Sequence, residues 1–252
     1  MPDRGTPLVV PGDIATAFAL LTRIPLPGAI PDRGAAAAWA WPLAGLAVGA
    51  AAAVTALAAQ ALGLPPAVSA GIVLAATIAV TGALHEDGLA DTADGFWGGW
   101  TRERRLDIMK DSRIGSYGVI ALILSLGLRW SALTALVATG PAAAAILAAA
   151  ALSRLPMALI MHLLPNAREE GLSAQTGRPG LATVLVATVV ALAIGLVLLG
   201  ASLFPAVLIL LLTTAAAAAI MQAKIGGQTG DTLGATQQIG EIALLATFAA
   251  LI

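Results

Sequence analysis

This sequence predicts an all-α polytopic integral membrane helix bundle, one domain over 1–252 with about seven transmembrane helices. Three observations carry that expectation. Of the 252 residues, 59% are hydrophobic and only 11% charged, and mean hydropathy is +0.92. Such a balance is wrong for a soluble domain and right for a chain solvated by lipid. Apolar runs of the ~20 residues that carry a helix across ~30 Å of hydrocarbon recur along the chain. Finally, the charges gather in connections that fall on one side of the membrane.

Residues 1–34 are mixed and Pro-rich and read as an N-terminal cytoplasmic or interfacial segment. Within it, Asp13 to Ile24 predicts a short amphipathic helix on the membrane, ended by Pro25. Apolar runs follow over 35–63, 66–84, 116–139, 141–164, 181–200, 203–223 and 239–252. The last is short for a crossing and is expected to tilt or to begin earlier. Gly63-Leu64-Pro65-Pro66, Gly140-Pro141 and the stretch from Gly200 to Pro205 read as tight turns between paired helices.

With this topology, 1–34, 85–115, 165–180 and 224–238 share one side and hold eleven of the thirteen Lys and Arg residues. The connections near 64, 140 and 201 hold none. The positive-inside rule makes the charged side cytoplasmic. The net charge of −1 supplies no field for nucleic acid. With no cysteine, disulfides, thiolate metal sites and cysteine nucleophiles are excluded. The N-terminus lacks a basic region followed by an apolar one, so no cleavable signal peptide is expected.

The densest polar stretch is His85-Glu86-Asp87-Gly88-Leu89-Ala90-Asp91-Thr92-Ala93-Asp94-Gly95. Asp87, Asp91 and Asp94 stand at i, i+4 and i+7, which on a helix sets three carboxylates on one face. Like charges so placed repel unless a cation lies between them, and a hard divalent ion takes carboxylate oxygens. These three are the candidate metal ligands. Further on, Asp107 and Asp111 stand at i, i+4 and Lys110 and Arg113 at i, i+3. A metal-binding acidic face beside a basic pair suits a pyrophosphate substrate, with Lys110 and Arg113 holding phosphate oxygens.

A second catalytic loop is read over 224–240. Gly226, Gly227, Gly230 and Gly234 permit close backbone approach, and a Gly-rich turn around Gly227 and Gly230 can cradle phosphate with N–H groups. Asp231 is assigned a metal or nucleophile-positioning role. Arg154 lies inside an apolar run, where a charge must face a polar cavity or meet an acid. His162 reads as an interfacial histidine, and Glu169 and Glu170 as a solvated pair. Arg129 reads as structural, snorkelling towards the far side.

Taken together, His85 to Gly95, Ile108 to Gly115, Ser153-Arg154 and Gly226 to Ala235 resemble the cobalamin synthase family, the adenosylcobinamide-GDP ribazoletransferases. The resemblance covers nearly the whole chain. It implies transfer of the cobinamide phosphate of adenosylcobinamide-GDP to α-ribazole or α-ribazole 5′-phosphate, with GMP leaving. It implies a Mg²⁺-dependent multi-pass enzyme in the cytoplasmic (inner) membrane of a bacterium, with lipid and these substrates as partners and no nucleic acid. Asp87, Asp91 and Asp94 would hold metal, and Asp231 would complete a second metal site or orient the hydroxyl. Lys110, Arg113 and Arg154 would contact phosphate. Asp94 or His85 would take the hydroxyl proton. Whether a homo-oligomer forms is left open. The rival readings are another membrane phosphotransferase or prenyltransferase with an Asp-rich metal site, and a cation-coupled transporter. Against transport, the acids cluster at one interface and no repeat is visible.

The one-sided charge makes a topological prediction. Reporter fusions at 64, 140 and 201 should report the non-cytoplasmic side, and fusions near 100, 172 and 230 the cytoplasm. A periplasmic signal near 100 contradicts the assignment.

Overall fold

A computed structural model describes residues 7–140 and 142–251. The described residues form α1 (Gly12–Leu21), a 3-10 segment (Pro31–Ala40), α2 (Trp41–Ala61), α3 (Pro66–Thr81), α4 (Leu84–Gly98), α5 (Arg102–Ile108) and α6 (Ser116–Thr139). They continue through α7 (Ala142–Leu152), α8 (Leu155–Leu163), α9 (Leu172–Thr176), α10 (Leu181–Leu199), a 3-10 turn (Gly200–Ser202), α11 (Leu203–Ile225) and α12 (Gly230–Ala250). There is no strand among them, and the all-α membrane bundle stands.

Four stretches are long and apolar enough to cross a bilayer: Asp32–Ala61, Ser116–Thr139, Ala142–Leu163 and Leu181–Ile225. A fifth arises if α3 and α4, bent by 89°, count as one broken span. The expected seven are therefore not reached by length and composition, for two reasons. The stretch from Leu181 to Ile225 is 45 residues long and is broken where Gly200 adopts φ +54°. Helix α12 extends the expected 239–252 run back to Gly230, but its first half carries Asp231, Thr232, Thr236, Gln237, Gln238 and Glu241.

Helix α1 begins and ends close to the expected bounds, stopping at Leu21. Its Asp13 is wholly buried and acts as a strap. The carboxylate accepts Arg33 Nε and Nη2 at 2.6 Å each and Trp39 Nε1 at 2.7 Å. Burial alone would raise the Asp13 pKa, but these donors together hold it below the usual carboxylate range.

Small residues set the helix spacing. A Cβ on Gly45 of α2 would lie 2.3 Å from Ala150 O of α7, and one on Gly49 would lie 2.9 Å from Leu147 Cα. Without a hydrophobic drive between helices in lipid, such close backbone packing is what holds them together. Pro156 has no N–H for the carbonyl of Leu152, so the chain breaks between α7 and α8 at Ser153-Arg154.

The corner between α3 and α4 directs the acidic helix. Gly82 and Ala83 both adopt left-handed backbone, φ 65° and 59°, and both N–H groups return to Ile78 O. Ala83 is the one non-glycine residue at positive φ among the described residues, a conformation costing roughly 1–2 kcal/mol. The two residues turn the chain so that α4 leaves at 89° to α3.

Beneath α4 lies a buried charge network. Arg129 of α6 is 0% exposed and meets Glu86 Oε1 at 2.9 Å and Glu241 Oε1 at 3.6 Å. Arg154 meets Glu241 Oε2 at 3.1 Å. Gln237 donates to Glu241 at 2.6 Å, and Gln238 to Glu86 at 3.3 Å. This corrects the snorkelling expectation for Arg129: two acids inside the bundle offer its guanidinium a closer partner than the far interface does. Arg154 meets an acid as expected.

Glu241 serves both arginines, so Glu241→Ala should leave two buried cations short of an acid and cost roughly 3–5 kcal/mol. Thermal unfolding in detergent should show a clearly lowered midpoint. A midpoint equal to that of the unaltered protein contradicts the network's structural role.

Candidate active site

The aspartate stripe forms as expected on α4, but its three carboxylates differ in setting. Asp87 is exposed, Asp91 half-buried and Asp94 buried. Over seven residues the stripe runs ~10 Å along the helix. Helix α12 crosses it at contact distance because glycines face the crossing. A Cβ on Gly88 would sit 2.7 Å from Asp231 O, and one on Gly234 would sit 3.3 Å from His85 Cα. Asp231 lies in the first turn of α12, which is fixed by a reciprocal cap: Thr229 N donates to Thr232 Oγ1 at 2.9 Å and Thr232 N to Thr229 Oγ1 at 3.3 Å.

The approach of the two helices packs acid against acid. Burial, then the charges of Asp87, Asp231 and Asp94, push the Asp91 carboxyl up to about 7, with Arg168 opposing. Burial also raises the pKa of Asp231, against the pull of Arg168 and Thr229. Arg168 Nη2 donates to Asp231 Oδ2 at 2.9 Å. The loop that delivers Arg168 is clipped to the start of α12 by Ala167 N to Gln228 O at 2.8 Å and Gln228 N to Pro165 O at 2.9 Å. Burial keeps the His85 imidazole neutral, reinforced by the nearby charges of Arg154 and Arg129.

A pocket of about 100 Å³ opens here. Its polar lining includes His85, Asp87, Arg168, Ser173, Thr176, Gly230 and Asp231, and its apolar wall includes Leu20, Leu21, Trp41, Met157 and Met161. The sequence thus points to a true convergence of two distant motifs, the aspartate helix and the Asp231 loop.

Other expected residues stand elsewhere. Asp94 Oδ2 accepts Gly115 N at 2.7 Å and Oδ1 accepts Gly118 N at 2.9 Å, which supplies the side-chain cap that α6 otherwise lacks. Asp94 opens on a separate hollow shared with Asp111 and Arg113. Arg113 pairs with Asp111 at 2.7 Å and holds that carboxyl down to about 2. Neither Arg113 nor exposed Lys110 lines the pocket between α4 and α12. The expected helical register of 107–113 is also absent: α5 ends at Ile108, and Asp111 instead accepts the N–H of Arg113, a local turn that competes with helix.

Arg154 does not line the pocket; its Nη1 donates instead to Glu241, Ser153 and Ala150 O. Gly227 does not line the pocket; its added Cβ would lie 2.3 Å from Pro165 O, so its smallness serves loop packing. Gly230 does line the pocket, with its nearest neighbours 3.7 Å away. His162 Nδ1 lies 2.9 Å from Pro179 O, an interfacial role as expected. Sequence reading left Arg168 without a role and missed Trp41 and the Met157/Met161 pair. The i, i+4 spacing of those methionines is the one signal that marks a shared face.

Among the described residues no three acidic or histidine side chains are already drawn together as a metal cage. The donor chemistry nonetheless fits Mg²⁺. Asp87, Asp91 and Asp231 offer hard oxygens, and Mg²⁺ binds through one or two carboxylates, completing its shell with water and substrate phosphates.

Fold and site define a multi-pass membrane protein with an acidic site joined to an amphipathic pocket. The profile of the cobalamin-5-phosphate synthase family matches residues 13–249, and the chain belongs to that family. It is similar to the adenosylcobinamide-GDP ribazoletransferase of Mesorhizobium japonicum, with 50% identity over 95% of this chain and 93% of the relative. The proteins of the same name from Bradyrhizobium diazoefficiens and Sinorhizobium medicae are 45% and 46% identical, each over 94% of this chain and over 93% and 95% of themselves. No solved structure matches.

The different settings of the aspartates separate their effects on stability. Asp94→Asn should lower the thermal midpoint, because a charged acceptor of two N–H bonds, one of them buried, is lost, at roughly 1–3 kcal/mol. Asp91→Asn should leave the midpoint unchanged or raise it, because like-charge repulsion is relieved. The reverse order contradicts the capping role.

Proposed function

We propose that the pocket between α4 and α12 carries out the transfer for which the relatives are named. As a family member the chain is a transferase of cobalamin biosynthesis. On this reading it moves the cobinamide phosphate of adenosylcobinamide-GDP onto a ribose hydroxyl of α-ribazole or its 5′-phosphate. The hydroxyl oxygen forms the new P–O bond, the bond to the GMP oxygen breaks with its electron pair, and GMP departs.

The observation that supports this most is the meeting of Asp87, Asp231 and Arg168 in the pocket lining, with Asp91 near enough to feel their charges. Asp87, Asp91 and Asp231 would hold Mg²⁺, with Asp94 at the end of the stripe beyond them. When bound, the ion would neutralise diphosphate charge and polarise the reacting phosphoryl group. The chain's own groups do the rest. Asp87 and Asp231 orient the acceptor hydroxyl. Neither expected base is favoured for its proton: Asp94 already accepts two N–H bonds, and burial with the charges of Arg154 and Arg129 disfavours a protonated His85. The start of α12 presents the positive end of its dipole to the phosphates. Catalysis of this kind is mostly positioning and charge stabilisation. Lys110 and Arg113 stand at the other end of the stripe, where they suit the outer phosphate or the departing nucleotide. The one-sided distribution of Lys and Arg supports a cytoplasm-facing site in the inner membrane of a bacterium.

The test is turnover of adenosylcobinamide-GDP by detergent-solubilised protein. Activity should require Mg²⁺ and vanish with EDTA. Asp87→Asn, Asp91→Asn and Asp231→Asn should each lower kcat at least ~100-fold, and combining them should add little, as for ligands acting as a unit. Two single variants with undiminished turnover would falsify the metal assignment.

A further inference from the structure

Three buried polar atoms lack a hydrogen-bond partner and belong to residues lining the same pocket: Trp41 Nε1, His85 Nε2 and Arg168 Nη1. Trp41 and His85 are 3% and 2% exposed. They come from three separate parts of the chain, the start of α2, the start of α4 and the loop before α9. Buried donors and acceptors are almost always satisfied; of the eight orphans among the described residues, five belong to Glu86, Thr92, Arg129 and Arg154, and the three on residues lining this one pocket point to a ligand that pairs them.

We propose that this pocket is the subsite for the acceptor nucleoside and that Arg168 recognises a 5′-phosphate on it. The assignment rests on the transfer reaction proposed above and specifies where one substrate sits. Size argues first: a cavity of about 100 Å³ cannot take a corrinoid macrocycle, which must stay at the mouth. Wall chemistry argues next. Leu21, Met157, Met161 and Leu233 form the apolar lining, which suits an apolar aromatic base and offers methionine sulfur to its ring. The guanine of the donor, with its row of polar edge groups, would find too few partners on such a wall. Trp41 Nε1 can donate to a ring nitrogen or sugar oxygen, and His85 Nε2 can accept a ribose hydroxyl facing Asp87 and Asp231.

Arg168 completes the set. One arm of its guanidinium is held by Asp231 at 2.9 Å, which leaves Nη1 as the unsatisfied donor. A planar fork anchored on one edge is preorganised to take an anionic oxygen on the other. Arg168 is thus a specificity residue, placed to tell a phosphorylated acceptor from an unphosphorylated one.

The test is calorimetric titration of the solubilised full-length protein with α-ribazole and, separately, α-ribazole 5′-phosphate, without donor. Arg168→Gln should weaken binding of the phosphate about 10–100-fold, the loss of a hydrogen bond to a charged group. Its effect on α-ribazole should stay under about threefold, with Arg168→Lys intermediate for the phosphate alone. Equal weakening of both acceptors would mean that Arg168 acts only by bracing Asp231, and would overturn its specificity role. No effect on either would do the same. Leu172→Trp, at a half-exposed position on the pocket edge, tests the subsite independently of Arg168. It should weaken both acceptors at least tenfold and leave adenosylcobinamide-GDP binding unchanged; the opposite pattern overturns the assignment. Because these are binding measurements, an unaltered protein that binds acceptor but fails to turn over would count against the transferase reading and not against the subsite.

Discussion

Everything at the active face depends on a backbone contact between two helices. Gly88 of α4 lets Asp231 O approach to where a Cβ would sit 2.7 Å away, and Gly234 of α12 does the same for His85. That contact sets Asp231 beside Asp87 and Asp91. It creates a local excess of negative charge that the protein opposes only in part, through Arg168. On the proposed reading, that surplus receives a cation and the phosphates a cation brings. Wider helix spacing would relieve the repulsion and remove the reason to bind either.

Holding two helices together against that repulsion needs a frame that does not yield. Part of it is the left-handed Gly82-Ala83 corner, which fixes the direction of α4. Part is the cap that Asp94 provides to α6, which ties the far end of the same helix. The remainder lies inside the bundle, where Glu86 and Glu241 engage Arg129 and Arg154. Glu86 follows His85 directly and Glu241 shares α12 with Asp231, so the network anchors both sides of the crossing. Such pairs are poor sources of net stability, but they are specific in register, and register is what a preorganised site requires.

The sequence made some of this legible and hid the rest for definite reasons. The aspartate stripe is readable because its spacing matches the helical repeat and because acids are scarce in so apolar a chain. Its convergence with Asp231 follows from topology, since both motifs were expected at helix ends on one side. The role of Asp94 is hidden because its partners are backbone N–H groups on another helix, which leave no pattern in residue types. Arg154 looks like a phosphate contact until Glu241 is placed beside it. Arg129 looks like a snorkelling residue for the same reason. Arg168 sits in an irregular loop whose position is set by a pairing between Asn166 and Gln228, a long-range contact that no local period reveals. Length and composition leave the expected seven spans unconfirmed where an apolar run passes through the break at Gly200 and where α12 begins with polar residues.

The central claim is that helix contact at Gly88 assembles a cation site from two helices. Paramagnetic titration with Mn²⁺, standing in for Mg²⁺, tests it without any substrate. The unaltered protein should hold Mn²⁺ in competition with Mg²⁺, and Gly88→Val, which forces α4 from α12 while keeping every carboxylate, should lose that binding as fully as Asp91→Asn does. Undiminished Mn²⁺ binding in a folded Gly88→Val protein would contradict the account.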